Sequence, residues 1–430
     1  MASQKIRKSP GAEPGFFYGY IVVAAALCIM AAAWGTYLSF GVFLKPLLAE
    51  FGWTRAMCSG ALSLSAIVHG LLGIVMGRLT DRLGPRIVMT VCGFFLGLGY
   101  LLMSQIGTVW QLYLFYGVIG MGMGGSIIPL VSTIARWFAK RRSMMTGIVL
   151  TGIGIGTLIG PPVANWLIST YDWRTSYATL GSIVLVLVVL AAQLLRRDPT
   201  QMGQVPYGET EEGEQGLKLG IEGFSLKEAV YTRQFWLFLA MSFCFTFCTF
   251  TVMVHIAPHA TDLGISAATA VNILATVGGL MIVGRVVLGG VADRIGNRQV
   301  FIVSFCLMAA ALLWLVPATE TWMLYLFAVV YGFASAGPGA SASPLVAGLF
   351  GLSSHGLILG VTGLGNTTGG AIGPFLAGYI FDVTGSYQVA FLVCAALAVL
   401  GLILTVVLRP ITGKSGQKLE ITKSSLQAPQ

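Results

Sequence analysis

One arginine inside a long apolar segment is the residue of this chain with the clearest chemical potential. Arg285 is the single charge in the thirteen residues GGLMIVGRVVLGG at 278–290. An arginine in the middle of a membrane segment costs roughly 2.5–3.5 kcal/mol on insertion scales. A guanidinium can bind both oxygens of a carboxylate at once. The residue therefore predicts either an internal counter-ion or a bound organic anion.

The sequence offers Arg285 no acidic partner within the apolar segments. All sixteen Asp and Glu residues fall in predicted loops or at predicted helix ends, and the nearest along the chain is Asp293, two helical turns away. The alternative is that Arg285 extends toward that helix end, since Gly289 lies only about 6 Å along the axis. A site with one fixed cation and no fixed anion suits a ligand of charge −1, and this is the preferred interpretation.

The segments that must hold this arginine are strongly apolar. Of 430 residues, 56% are hydrophobic and only 10% are charged, with a mean hydropathy of +0.83. Soluble domains are about 25% charged, so the composition predicts an integral membrane protein. A helical span needs about 20 mostly apolar residues, and in lipid its backbone groups must satisfy each other. We therefore predict twelve transmembrane helices, over residues 16–44, 56–79, 86–105, 108–137, 142–169, 174–195, 234–259, 266–291, 298–319, 321–350, 353–382 and 386–409.

Lysine and arginine are distributed unevenly over the predicted loops. Of 25 such residues, 21 fall on the face that carries both termini, and three fall on the other face: Lys45, Arg55 and Arg174. Cytoplasmic loops are enriched in these residues, which predicts a multi-pass protein of the cell inner membrane with both termini cytoplasmic. The net charge of +9 follows from this asymmetry and from contact with anionic lipid, so it does not indicate nucleic-acid binding. The first apolar run is too long for a cleavable signal peptide.

The chain repeats itself at an offset of 212 residues. GRLTDRLGPR at 77–86 pairs with GGVADRIGNR at 289–298, and after three extra residues Tyr116 pairs with Tyr331. This predicts two pseudo-symmetric six-helix bundles. The predicted organisation is an N-terminal bundle, a cytoplasmic linker, a C-terminal bundle and a cytoplasmic tail, at 1–195, 196–233, 234–410 and 411–430.

These motifs and this architecture resemble the major facilitator superfamily over nearly the whole chain. The resemblance rests mainly on the GxLaDrxGxr signature, which occurs after spans two and eight in the two stretches quoted above. Within the superfamily, WFAKRRSMMTGIVLTGIGIG at 137–156 resembles the fifth-helix signature of the monocarboxylate (lactate/pyruvate) transporters. FGVFLKPLLAEFGW at 40–53 resembles the end of their first helix. The chain is thus similar to a bacterial member of that family.

The resemblance implies a role for the buried arginine. Monocarboxylate transporters hold the substrate carboxylate with an arginine on span eight, and Arg285 matches it. The predicted span eleven contains no lysine, which argues against a dicarboxylate. Animal members also carry an aspartate four residues before this arginine and a lysine on the first helix. The matching residues here are Met281 and Leu38, so two of the family's proton-handling residues are missing.

The resemblance also implies a latch that holds the cytoplasmic gate shut and releases when the two bundles rock. The alternative is that these residues are solvated charges and anchors at the membrane surface. The predicted gate residues are Gly77, Asp81, Arg82, Arg86, Arg142, Asp293 and Arg294.

Two histidines in predicted spans are candidates for carrying a proton, because imidazole titrates near neutral pH. His69 lies in the middle of span two, and His255 lies near the outer end of span seven. The repeat aligns His255 with the outer part of the first helix, so it is also a candidate substrate ligand. The alternatives are that both are hydrogen-bonded packing residues, or that the proton travels on the neutral acid.

Four further polar side chains are candidate substrate ligands. Tyr116 and Tyr331 occupy equivalent positions on spans four and ten, which face each other across the cavity of the superfamily fold. Their hydroxyls could bind a carboxylate or a 2-hydroxyl group, and the alternative is that they pack between helices. The other two candidates are Asn366 on span eleven and Tyr37 on span one.

Together these features predict a secondary active transporter that moves a small monocarboxylate, such as L-lactate, by alternating access in symport with a proton. The alternative is a facilitator-type exchanger or exporter of another organic anion or an amphipathic compound. A membrane-embedded enzyme would need clustered His, Asp, Glu or Cys within the spans, and the sequence has no such cluster. We therefore predict no enzymatic activity, no catalytic or metal site and no cofactor. The expected partners are the anion, a proton and membrane lipids, and the chain is expected to be a monomer.

Overall fold

The computed structural model describes residues 17–138, 142–205, 207, 224–351 and 355–409. Six side chains within helices also lie outside this description, and they are those of Asp81, Arg142, Ser143, Asp293, His355 and Gly356. The described residues are predominantly helical, and the one pairing of extended residues among them is a bridge between Phe138 and Tyr207. The predicted all-α fold is therefore confirmed.

Twelve helical spans follow one another along the described chain. They are Gly19–Leu38 with Phe40–Phe51 (span 1), Arg55–Leu83 (span 2), Pro85–Met103 (span 3), Val109–Met123 with Ile128–Trp137 (span 4), Arg142–Thr170 (span 5), Trp173–Leu194 (span 6), Arg233–Asp262 (span 7), Ala267–Ile295 (span 8), Asn297–Leu315 (span 9), Thr321–Phe350 (span 10), His355–Thr384 (span 11) and Gln388–Val407 (span 12). Two short helices, Pro199–Met202 and Leu226–Val230, lie between spans 6 and 7.

The predicted membrane architecture agrees with these helices. Eleven of the described helices are long and apolar enough to cross a membrane. Span 11 is equally long, at 30 residues, but its sequence is rich in glycine and threonine, which lowers its hydropathy. The twelve-helix membrane fold predicted from the sequence is confirmed.

Span 1 extends farther than the sequence predicted. Its second piece continues past Lys45 and Pro46 to Phe51, whereas the prediction ended the span at residue 44. A lysine followed by a proline indicates a helix end when only local signals are considered. Leu47 in this extra turn is fully buried, so packing against the rest of the protein outweighs the hydrogen bond that the proline cannot donate.

The predicted repeat reappears in the helix bounds. Span 8 begins and ends 212 residues after span 2, and both have 29 residues. Spans 3 and 9 show the same offset and share a length of 19 residues. Each signature contains a glycine with positive φ, 84° at Gly84 and 95° at Gly296, where the chain turns sharply between two spans. Glycine is required there because side chains strain this backbone conformation.

The helices pack in a pattern that also repeats. In the first half (spans 1–6), span 1 packs on span 5, span 2 on span 4, and span 3 on spans 4 and 6; the corresponding pairs recur in the second half (spans 7–12). Between the halves, span 2 packs on span 11 and span 5 on span 8. Spans 5 and 8 approach closely at Gly154 and Gly278, where a Cβ on either residue would lie 2.9 Å from the other's carbonyl oxygen. Small residues permit this closeness between membrane helices.

The described parts of the two halves are packed together more closely at one face of the protein than at the other. We call the face that carries the two short helices between spans 6 and 7 the linker face, and the other the opposite face. Near the opposite face, Gly378 of span 11 packs against the start of span 2. The same stripe of span 11 continues to Gly363 and Gly360, where a Cβ would meet no described atom within 4 Å; Gly147 and Gly289 on spans 5 and 8 are equally open. Among the described residues, the halves are therefore in contact near the opposite face and farther apart toward the linker face.

Candidate functional site

Arg285 lies at the contact between the two halves. It stands ten residues before the end of span 8, about 15 Å along the axis. Its Nη1 donates a hydrogen bond to the backbone carbonyl of Leu150, on span 5 of the other half. Leu150 is itself about 12 Å from the first residue of its span. The guanidinium is therefore held in the interior by the other half and does not extend toward the linker face.

No described acidic side chain lies within ion-pair distance of Arg285. The ion pairs among the described residues involve other cations, at either end of the spans, and the side chain of Asp293 lies outside the description. The Nε–H of Arg285 is buried and has no hydrogen-bond partner within the described chain. A carbonyl dipole compensates the charge only in part, so this cation can accept an anion.

Span 10 passes in front of the free edge of this guanidinium. A Cβ built on Gly339 would lie 3.8 Å from Nε and 3.9 Å from Nη2 of Arg285. Gly339 itself is exposed, and the arginine is partly exposed. The site thus combines a cation from span 8, a carbonyl from span 5 and a bare stretch of backbone from span 10.

The two predicted tyrosine ligands lie inside their own halves. Tyr116 is buried, and its hydroxyl is 3.3 Å from the hydroxyl of Tyr177 on span 6. Tyr331 is also buried, with its ring stacked 5.0 Å from that of Phe327. Tyr331 precedes Gly339 by eight residues, about 12 Å along span 10. This geometry corresponds to the packing alternative, because neither hydroxyl is brought to Arg285.

The other two candidate ligands differ in exposure. Tyr37 is buried, and its hydroxyl donates to the carbonyl of Leu62 on span 2 at 3.4 Å. Asn366 is exposed. One turn further on, Gly370 faces the ring of Phe250 on span 7. Of these two residues, only Asn366 has a side chain available to a ligand in this structure.

His255 is hydrogen-bonded through both ring nitrogens. Its Nε2 lies 2.9 Å from the carbonyl of Pro374, and its Nδ1 lies 2.9 Å from the hydroxyl of Tyr387. The hydroxyl of Ser59, on the first half, is 3.5 Å from Nε2. A neutral imidazole that donates from Nε2 and accepts at Nδ1 satisfies both main contacts. In this structure His255 is therefore a packing residue near the opposite face, at a different depth from Arg285.

A set of charged residues beside His255 joins the halves at the opposite face. Arg55 pairs with Asp262 at 2.9 Å and donates to Tyr387 at 2.6 Å. Lys45 also pairs with Asp262, at 2.8 Å. The carboxylate of Asp382 accepts the first backbone amides of span 2, at 2.9 and 2.7 Å, where a helix N-terminus favours negative charge. We call these five residues the opposite-face network; each of these bonds crosses from one half to the other.

His69 lies at the interface between the halves without a hydrogen bond. Its ring is 5.7 Å from the ring of Trp34, which in turn is 6.2 Å from Phe250 on the second half. The next residue, Gly70, faces Thr367 of span 11. Within the described chain the imidazole of His69 has no hydrogen-bond partner, and the residue is partly exposed. Among the described residues, then, the ring nitrogens of His69 have no partner, whereas both ring nitrogens of His255 are hydrogen-bonded.

The family of the chain follows from its match over almost its whole length. Residues 23–298 and 256–426 match the Major Facilitator Superfamily. The chain belongs to the Major Facilitator Superfamily. As a facilitator it is a membrane transporter and not an enzyme, as the sequence predicted.

Several relatives of this facilitator are named as monocarboxylate transporters. It is 29% identical over 387 residues to monocarboxylate transporter 13 of Rattus norvegicus, covering 89% of this chain and 87% of that protein. It is 30% identical over 411 residues to monocarboxylate transporter 11 of Homo sapiens, covering 91% and 83%. Both are animal proteins, so the bacterial origin predicted above stays a prediction.

A solved structure confirms the fold. A bacterial homolog to the human lysosomal transporter Spinster matches this facilitator with a TM-score of 0.67 and 16% sequence identity, over 93% of this chain and 95% of that one. At this identity the likeness concerns the arrangement of helices and not the transported compound.

The signature residues of the facilitator are described only in part. Gly77 packs within the first half, since a Cβ there would lie 2.9 Å from a side-chain carbon of Ile128. Arg86 donates to Gln193 at 2.7 Å, and the exposed residues Arg82 and Arg294 stand near the linker-face ends of spans 2 and 8. The side chains of the other three predicted gate residues, Asp81, Arg142 and Asp293, lie outside the description. The predicted latch therefore stays a prediction.

Three features of this facilitator site were missed from the sequence. Trp34 could have been noticed as a tryptophan in the middle of an apolar run, three residues before a predicted ligand. Gly339 carries no signal of its own among the many glycines of the chain. The carbonyl of Leu150 has no sequence signature at all, because every residue carries the same backbone group. Only its position in the fold distinguishes it.

Proposed function

We propose that this facilitator moves a small monocarboxylate, such as L-lactate, across the membrane by alternating access. The observation that carries the proposal is the environment of Arg285: a guanidinium between the halves, bound to a carbonyl, with no described carboxylate beside it. An organic anion of charge −1 would complete its charge balance. The names of the relatives support the same class of substrate.

In the proposed cycle the anion enters from the linker face, which we take to be cytoplasmic because most lysine and arginine residues of the loops fall there. It binds Arg285, whose charge it neutralises at the contact with Leu150. The halves then rock about this contact, so that the linker face closes and the opposite-face network separates. We further propose that the protein acts as a monomer in the cell inner membrane, surrounded by lipid, with both termini cytoplasmic.

The proposal includes a proton that travels with the anion, and His69 is the favoured carrier. The ring of His69 lies at the interface of the halves, partly exposed and without a described hydrogen bond, whereas both nitrogens of His255 are engaged. Symport of the pair would move no net charge.

A second candidate function is exchange of anions without a proton. It is favoured by Met281 and Leu38, which occupy the positions of the family's proton-handling aspartate and lysine and are almost completely buried. In that case transport would require anions on both sides of the membrane and would not respond to a pH gradient.

Counterflow in proteoliposomes tests the proposed function. We expect the purified protein to exchange labelled L-lactate against internal lactate, and cold pyruvate and acetate to compete. An oxalate or drug counterflow without any lactate counterflow would contradict the assigned substrate class. Lactate counterflow that is unaffected by a pH gradient, with no net accumulation, would select the exchanger.

The His69→Gln variant is expected to separate exchange from accumulation. With one proton per anion, an inward gradient should concentrate lactate about tenfold for each pH unit, because both gradients carry 1.4 kcal/mol per factor of ten. Without the imidazole, counterflow should persist while this accumulation disappears. Accumulation equal to that of the unchanged protein would show that the proton follows another route, such as the neutral acid.

A further inference from the structure

The guanidinium of Arg285 has one occupied edge and one open edge. Nη1 is bound to the carbonyl of Leu150. Nε and Nη2 lie together on the other edge, and this pair of parallel N–H groups is a geometry with which arginine binds both oxygens of a carboxylate. Nε is buried without a described partner, and Nη2 donates no described hydrogen bond. This is the edge on which neither nitrogen has a described hydrogen bond, so an anion can bind there without competing with the carbonyl of Leu150.

Gly339 stands in front of the open edge. Among the described atoms, a Cβ at position 339 would have only Nε, at 3.8 Å, and Nη2, at 3.9 Å, within 4 Å. The guanidinium carbon is more than 4 Å away, so this Cβ would lie on the outer side of the Nε–Nη2 edge, the side from which a carboxylate approaches. A carboxylate bound to both N–H groups at about 2.8 Å would place its carbon about 3.6 Å from each nitrogen. A methyl group at 339, at 3.8 and 3.9 Å from the same two nitrogens, would thus crowd a carboxylate bound to them.

We propose that Gly339 is a substrate-determining residue: its missing side chain keeps the Nε–Nη2 edge of Arg285 open to the carboxyl group of the substrate. The inference rests on the proposed function and deepens it. Because the excluded group is the carboxylate itself, the glycine is required for every acid that the protein binds, whatever the size of its organic tail.

The test uses the full-length Gly339→Ala variant, with Gly348→Ala on the same span as the matched control. A Cβ at Gly348 meets no described atom within 4 Å, and the nearest contact of a Cβ at Gly339 is an ordinary one. Both changes favour a helix, so both proteins should fold. Binding is measured as the rise in melting temperature with formate, acetate, L-lactate and pyruvate, and transport as counterflow of labelled lactate.

We expect Gly339→Ala to weaken binding of all four acids by a similar factor of about 10 to 100, equivalent to one charged hydrogen bond, and Gly348→Ala to leave it unchanged. Equal binding in Gly339→Ala and the unchanged protein would overturn the inference while leaving the proposed function intact. A loss confined to the larger acids would also overturn it, because Gly339 would then line the space for the tail. An unchanged protein that binds acids but moves none would overturn the proposed function alone, and one that binds none would overturn both.

Discussion

Arg285→Gln is expected to lose monocarboxylate uptake by about 100-fold or more while the protein remains folded in the membrane. Two charge-assisted hydrogen bonds to a carboxylate contribute roughly 1.5–3 kcal/mol each, and each 1.4 kcal/mol is a factor of ten. Glutamine is uncharged and ends two bonds short of Nη1, so it offers a carboxylate neither the charge nor the paired donors of the guanidinium. The substitution also removes a cation whose insertion costs roughly 2.5–3.5 kcal/mol, so the melting temperature should not fall. The measurements are counterflow of labelled lactate and thermal unfolding in detergent.

Two control variants sharpen this expectation. Arg285→Lys keeps the charge but loses the planar pair of donors, so uptake should fall by an intermediate factor of about ten. Arg409→Gln makes the same chemical change at an exposed arginine at the linker face and should leave uptake unchanged. If Arg285→Gln transported lactate as well as the unchanged protein, the guanidinium would not be the anion site.

Asp262→Asn is expected to open the opposite face more often. Asp262 accepts Lys45 at 2.8 Å and Arg55 at 2.9 Å, both from the other half. Asparagine leaves these two cations without the carboxylate that they share, which destabilises the closed arrangement. Arg55 is only 8% exposed, so its pair should count for more than a surface ion pair. A loss of about 1.4 kcal/mol would raise the open population tenfold.

The opening can be measured by alkylation from the opposite face. Ser59→Cys introduces a nearly isosteric thiol at a fully buried position, 3.5 Å from His255 across the interface. In a background whose seven native cysteines are replaced, a membrane-impermeant maleimide should modify this thiol about tenfold faster when Asp262→Asn is added. Glu50→Gln is the matched control, because Glu50 pairs with Arg174 of its own half at 2.6 Å on the same face. Equal acceleration by both changes would contradict a specific role of the pairs that cross between the halves.

The two variants address opposite requirements of one cycle. Arg285 and the carbonyl of Leu150 join the halves in the interior, while Asp262 and its partners join them at the opposite face. A rocking motion can preserve the first contact, but it must break the second, because only the second lies where the halves separate in the outward state. We therefore expect Asp262→Asn to change the rate of transport more than it changes the affinity of the protein for the anion.

Local pattern was sufficient for the membrane helices and for the repeat. Apolar length alone locates twelve spans, because a helix in lipid must satisfy its own backbone regardless of its neighbours. The offset of 212 residues is a property of the letters, and it reappears in the bounds of spans 2 and 8. The end of span 1 was wrong by several residues, because burial of Leu47 is a tertiary effect that outweighs the local signal of Pro46.

For the polar residues, the sequence identified some roles and left others to the tertiary structure. The sequence identified Arg285 by its cost in lipid, which depends only on the residue and its segment. The sequence could not distinguish the environments of His69 and His255, or a tyrosine that faces a cavity from one that packs between helices. Side chains point in all directions around a helix, and the neighbouring helices decide which of them are buried. The opposite-face network was equally hidden, since Arg55 and Asp262 are 207 positions apart and read separately as ordinary loop charges.

By itself, then, the amino-acid order determined that this protein is a two-part helical membrane carrier with one costly cation in its interior. Hydropathy, the spacing of the repeat and the placement of charges are properties of the sequence itself, so they can be determined without any knowledge of packing. Only the tertiary structure decided what that cation touches, that both ring nitrogens of His255 are hydrogen-bonded, and where the described halves join. Those answers depend on contacts between spans far apart in the chain, and on backbone groups that are the same at every residue.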